Sequence, residues 1–117
     1  MEKLFEGEYR MMEVLWDSGP VSSTRLVSLC GERLGWNKST TYTVLRRLKH
    51  KGLVLHQNTV AAPLFTREEV IRAQGEELVE RAGGLPLFMT AFLSGRKLTA
   101  QEAEELKELI DERMGEG

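Results

Sequence analysis

Ser39, Thr40, Tyr42, Thr43, Arg46 and Arg47 crowd into one short part of the stretch GWNKSTTYTVLRRLKHKGLV, Gly35–Val54. Short hydroxyl side chains can approach base edges and phosphates closely, and an arginine can fork onto guanine or clamp a phosphate. The chemistry on offer is hydrogen bonding to a polyanion rather than bond making. Asn37 is a good helix N-cap, and Gly52 sits where a terminating glycine belongs. Between them Thr41, Val44, Leu45 and Leu48 repeat at i, i+3, i+4 and i+7, which predicts one buried face. A turn of about 100° per residue then puts Ser39, Thr43, Arg46 and His50 opposite, with Tyr42 and Arg47 flanking. A solvated amphipathic helix would share this pattern, so the context decides.

Net charge is −2 overall, but it is unevenly spread. Residues 1–65 hold nine Lys/Arg against six Asp/Glu, or +3, whereas residues 66–117 hold seven against twelve, or −5. The window 21–58 holds seven against one, or +6. Cations surrounding the candidate reading helix, joined to an acidic segment, predict a nucleic-acid-binding module with an interaction appendage.

The 117 residues suit one ordinary domain or a small one with an appendage, and 41% apolar content supports a modest core. No apolar run approaches the roughly 18 residues of a membrane span. The start MEKLFEGEYR lacks an apolar core of signal-peptide type, so a cytoplasmic location is expected. Cys30, the single cysteine, lies in the helical pattern RLVSLCGERL and reads as a small buried residue. One cysteine and two histidines make no four-ligand structural zinc site on their own, so no metal is expected. Without a glycine-rich phosphate loop, a nucleophile elbow or HExxH, neither a cofactor nor an enzymatic activity is expected.

The elements that must hold the reading helix follow from punctuation and period. A first helix over Gly7–Asp17 turns Tyr9, Met12, Leu15 and Trp16 inward and stops at Asp17-Ser18-Gly19-Pro20. Val21 and Ser22 lead into a second, with Ser22 as N-cap and Leu26, Leu29, Cys30 and Arg33 at helical spacing. Leu34-Gly35-Trp36 turns into the third, completing a helix-turn-helix. Leu53–Gln57 and Val60–Phe65 flank Asn58-Thr59 as a β-hairpin, so residues 1–66 form a winged helix-turn-helix domain. This wing is short and carries no Lys or Arg, which predicts a small contribution to affinity.

Residues 67–117 read as helical. Thr66 and Glu69 form a capping box for a helix reaching about Arg81, ended by Gly83-Gly84. Leu85–Leu93 is the most apolar stretch, with Pro86 in the first turn of a short helix. Ser94-Gly95-Arg96-Lys97 breaks the chain, and Thr99 with Glu102 caps a last helix carrying Ala103, Leu106, Leu109, Ile110 and Met114 on one side. Such short helices are unstable alone. The sharp change in charge at Thr66 favours dimerisation through this segment over folding back onto the first domain. Val70, Leu78, Leu87, Phe88, Phe92, Leu106, Leu109 and Ile110 are expected at that interface. The fold class is thus mainly α with a small β-hairpin.

These residues also carry a family resemblance. YRMMEVLWDSGPVSSTRLVSLCGERLGWNKSTTYTVLRRLKHKGLV, PLFTREEVIRA, the Gly83-Gly84 pair, MTAFL and KLTAQEAEELKELIDE together resemble the penicillinase and methicillin-resistance repressor family, in order and over nearly the whole chain. The resemblance implies a homodimeric winged-helix repressor on a two-fold symmetric operator, with the third helix in the major groove. It implies base-proximal roles for Ser39, Thr40, Tyr42, Thr43 and Arg46. Phosphate contacts would come from Ser22, Ser23, Thr24, Lys38, Arg47, Lys49 and Lys51. In the antibiotic-sensing members, a membrane sensor metallopeptidase triggers cleavage before a phenylalanine, which here implies the Ala91-Phe92 bond. Those members carry asparagine where this chain has Ala91, a departure that implies either no proteolytic induction or a different protease specificity. The copper-responsive members carry a cysteine-rich C-terminal motif, whereas this sequence reads Arg113-Met114-Gly115-Glu116-Gly117 there, so copper sensing by that route is not expected. The family's usual longer, charged wing is here trimmed to Val60, Ala61 and Ala62.

Two other functions compete. A ligand-sensing regulator would use Leu85–Leu93 as a pocket wall, but no convergent polar groups are apparent there. A winged helix used only for protein interaction fits the uncharged wing but leaves the +6 window without a purpose.

Overall fold

The computed structural model describes residues 1–115; of the terminal Arg113–Gly117 stretch, Glu116 and Gly117 lie outside the described residues. The elements are α1 (Glu6–Ser18), β1 (Val21–Ser22), α2 (Ser23–Leu34), α3 (Lys38–His50), β2 (Val54–Gln57), β3 (Val60–Pro63), α4 (Arg67–Ala82), α5 (Leu85–Leu93) and α6 (Ala100–Arg113). This is the mainly helical chain with a small hairpin that the periodicity predicts. The chain divides into two compact units, Met1–Glu76 and Glu77–Gly117, with the boundary inside α4.

In the first unit, α1, α2 and α3 pack around Met11, Met12, Val14, Leu15, Leu26, Cys30, Leu45 and Leu48, which are almost completely buried. Burying each large side chain of this kind contributes about 1.5–3 kcal/mol. Tyr9 and Trp16, expected in this core, lie at its margin and meet edge to face with ring centroids 5.7 Å apart. Burial of Cys30 also pushes its thiol pKa up, in keeping with a packing role.

The sheet has one more strand than the hairpin pattern predicts. Its order is β1-β3-β2, all antiparallel, with Val21 opposite Ala61 and Ser22 opposite Val60. Two residues are too few to show a period of two, so β1 is visible only once β3 is beside it. The hairpin turns at Asn58 and Thr59, both at positive φ (50° and 62°), as a two-residue turn matched to strand twist requires. Asparagine tolerates that conformation, whereas the β-branched Thr59 is strained in it. The strain is held by Ser23, whose N–H and Oγ both donate to the Thr59 carbonyl, at 2.7 and 3.1 Å.

Val70, placed by sequence reasoning at a dimer interface, is instead fully buried in the first unit's core. The early part of α4 is docked there. Arg67 lies over Trp16 at 4.9 Å and within 3.8 Å of Glu13, while the Trp16 indole donates to the Phe65 carbonyl at 2.8 Å. A composition break at Thr66 therefore precedes the structural one by about three helical turns.

In the second unit, α5 and α6 contain no buried residue. Leu78, Leu85, Leu87, Phe92, Leu109 and Ile110 are exposed, and Phe88 and Leu106 half-buried. Phe88 stacks on Phe92 at 5.7 Å, and Arg96 covers Phe92 at 4.5 Å. The Thr99–Glu102 capping box forms as predicted, with bonds of 3.0 Å in both directions.

Candidate nucleic-acid interface

Helix α3 is fixed at both ends by its own sequence. Asn37 Oδ1 accepts from the Thr40 N–H at 2.8 Å, satisfying one of the first turn's orphan donors. At the other end Gly52, at φ 78°, lets its N–H donate to Lys49 and the Leu53 N–H reach the Leu48 carbonyl, both at 3.0 Å. Thr41, Val44, Leu45 and Leu48 face the core, as their spacing predicts. Thr41 is satisfied there by donating to the Asn37 carbonyl at 2.9 Å.

The opposite face is presented outward. Ser39, Thr40, Arg46, Arg47, Lys49 and Lys38 are exposed, and Tyr42 and Thr43 are half-buried. Thr43 donates to the Ser39 carbonyl at 2.9 Å, which holds its side chain against the helix backbone. The Lys38 ammonium sits 6.0 Å from the Tyr42 ring centroid. Among the described residues, Arg46, Arg47 and Lys49 enter no ion pair. Three uncommitted cations and a row of hydroxyls on one rigid helix face can bind phosphates and hydrogen-bond base edges.

At the start of α2, Ser22 and Thr24 are exposed, and Ser22 Oγ caps the helix by accepting from the Arg25 N–H at 3.0 Å. The exposed Arg25, which was not singled out from sequence, adds a cation to the same turn. Its signal was available: it is the first charge after the Ser22 cap.

Two predicted phosphate contacts are not brought to this surface. Ser23 is buried, and both its donors are engaged by Thr59, with its Oγ also 2.6 Å from His56 Nε2. It ties the wing to α2 instead. Lys51 bonds Glu8 Oε1 at 2.6 Å and the Lys3 carbonyl at 2.7 Å, beneath the Phe5 ring at 4.6 Å. Its side chain is 14% exposed and that of Glu8 1%, so the pair locks the N-terminal segment onto the end of α3. Glu8 Oε1 also accepts from the Phe5 N–H at 2.9 Å, capping α1, while Oε2 is buried without a partner. In sequence, Lys51 looks like one more cation of the basic helix, and nothing local reveals the carboxylate that claims it.

Ala91 and Phe92 lie within α5 and are exposed. No helix of the described residues is long and apolar enough to cross a membrane.

Comparison with known proteins matches residues 5–112 to the penicillinase repressor family. The chain is also 22% identical over 116 residues to the penicillinase repressor of Bacillus licheniformis, covering 94% of this chain and 91% of that protein.

Proposed function

The chain belongs to the penicillinase repressor family, a family of DNA-binding transcriptional repressors, and we propose that it represses as a homodimer that lays two copies of α3 in successive major grooves of a two-fold symmetric site. The observation that carries this reading is the outward face of α3, where Arg46, Arg47 and Lys49 stand exposed beside Ser39 and Thr40 and, among the described residues, enter no ion pair. Ser39, Thr40, Tyr42, Thr43 and Arg46 are the base-proximal set. Ser22, Thr24, Arg25, Lys38, Arg47 and Lys49 are the phosphate set.

Dimerisation is supported by α5 and α6, which leave Leu87, Phe92, Leu109 and Ile110 exposed and bury none of their own residues. Helices of this length need tertiary packing to persist. A symmetric dimer supplies it and joins two modest half-site affinities into one strong one. Relief by cleavage at Ala91-Phe92 requires α5 to unwind locally, since proteases bind extended chain. A nine-residue helix without buried side chains opposes that weakly.

Fluorescence anisotropy with a duplex from upstream of the chain's own gene, against a scrambled duplex and over a range of salt, tests the reading. Selective binding that weakens steeply with salt is expected. Absence of binding to either duplex at low salt would overturn it and favour a protein-interaction module.

A further inference from the structure

The wing carries no Lys or Arg, yet it is tied to α2 through its one titratable side chain, His56. Ser23 Oγ lies 2.6 Å from His56 Nε2 and 3.1 Å from the Thr59 carbonyl. A serine hydroxyl has one proton. The carbonyl can only accept, so both contacts are hydrogen bonds only when the hydroxyl donates to Thr59 and Nε2 carries a proton that it donates to Ser23. This fixes the ring with Nε2–H in either charge state, and the free valence is Nδ1. Among the described residues Nδ1 has no hydrogen-bond partner, and it is not buried, so water reaches it.

Among the described residues His56 enters no ion pair; α1, which packs on β3, carries Glu6, Glu8, Glu13 and Asp17, and none of them pairs with it. Strand β3, including Ala61 opposite His56, has no titratable group, and neither has β1. The inward face of α2 offers Ser23, Leu26 and Cys30, of which only the buried Cys30 thiol titrates, and that of α3 offers Thr41, Val44, Leu45 and Leu48. The nearest charge along α2 is the exposed Arg25. His56 therefore stands at the start of α2, beside exposed Ser22, Thr24 and Arg25, with its ordering bond on one nitrogen and an open site on the other.

We propose that His56 is the wing's phosphate contact: Nδ1 takes a proton from solvent as DNA docks and donates it to a backbone phosphate oxygen, while Nε2 stays bonded to Ser23. This rests on the DNA-binding reading above. Because Nε2–H is retained, protonation leaves the wing in place and alters only the affinity. Coupling proton uptake to binding makes affinity rise as pH falls.

The test uses the whole chain, a duplex from upstream of its own gene and a random duplex, at fixed salt from about pH 5.5 to about pH 8, the range in which histidine changes charge. Wild type is expected to bind both duplexes several-fold more tightly at the acid end. His56→Gln keeps an N–H donor for Ser23 but cannot titrate. It is expected to lose the pH dependence and to lower the salt slope by about 0.9 at the acid end. Nitrogen-15 shifts of the wild-type imidazole, which need no variant, are expected to show Nε2–H in the free protein and both nitrogens protonated in the complex. A neutral ring protonated at Nδ1, or a His56 whose protonation DNA does not change, overturns the proposal. If wild type binds neither duplex at any pH, the repressor reading fails and takes the proposal with it. If it binds equally at all pH, only the role of His56 fails.

Discussion

The first unit buries Met11, Met12, Leu15, Leu26, Leu48 and Val70 almost completely, whereas α5 and α6 in the second bury nothing. Helix α3 in the first unit and α6 in the second are both amphipathic and both have side-chain N-caps, so capping and periodicity do not explain the difference. The first unit has three helices and a sheet converging on one point, and the second has two helices, α5 and α6, without a buried residue. One is a finished domain. Under the proposed dimerisation the other is half of a core, and its stability would belong to the assembly.

The largest effects should follow from damage to the finished core. Leu48→Ala is expected to cost about 2–5 kcal/mol, and Lys51→Met, which strands the Glu8 carboxylate, about 3 kcal/mol or more. Both should appear as a lower urea midpoint for the first unit, and Lys51→Met should leave the salt slope of DNA binding unchanged. A reduced slope at unchanged stability would return Lys51 to the phosphate set. Ile110→Asp should do the opposite: leave that midpoint alone, convert the proposed dimer to monomer in sedimentation, and weaken binding to a two-half-site duplex on the order of 10²-fold. If Ile110→Asp sediments as wild type, the exposed face of α6 is not the interface.

Within the first unit, Arg46→Ala is expected to lose about 1–3 kcal/mol of sequence discrimination, whereas Lys49→Ala should weaken all duplexes alike and lower the salt slope by about one. Equal effects of the two on specific and scrambled DNA would remove Arg46 from the base-reading set. The smallest effect is acid sensitivity. Bonds from Thr66 hold Glu69 below the usual carboxylate range, and bonds from Thr99 do the same for Glu102. A depressed folded pKa gives stability that is fully present above the unfolded value of about 4.3 and lost as pH falls through the folded one. Glu69→Gln should flatten the acid limb of the first unit's unfolding, and Glu102→Gln that of the second unit's. A single shared response to both would mean that the two units unfold as one.

What could be read from sequence was what is local. The face of α3 followed from Thr41, Val44, Leu45 and Leu48, its ends from Asn37 and Gly52, and the capping boxes of α4 and α6 from Thr66 and Thr99. What escaped depends on partners far along the chain. Ser23 looked like a surface hydroxyl until Thr59, 36 residues on, took it. Lys51 looked like a free cation until Glu8, 43 residues back, claimed it. Val70 looked like interface because the charge changes at Thr66, but charge marks what faces water and says little about where a core stops.

The wing also bears on the thermodynamics of association. Ser22 pairs with Val60, and Ser23 grips the Thr59 carbonyl twice, so the hairpin tip is tied to the helix-turn-helix before any DNA arrives. A longer, untethered wing would lose conformational entropy on entering a groove, which here is already lost during folding. DNA capture by this chain should therefore resemble rigid docking. Its heat-capacity change should follow the area buried at the interface, without the excess that accompanies folding of a segment on its target.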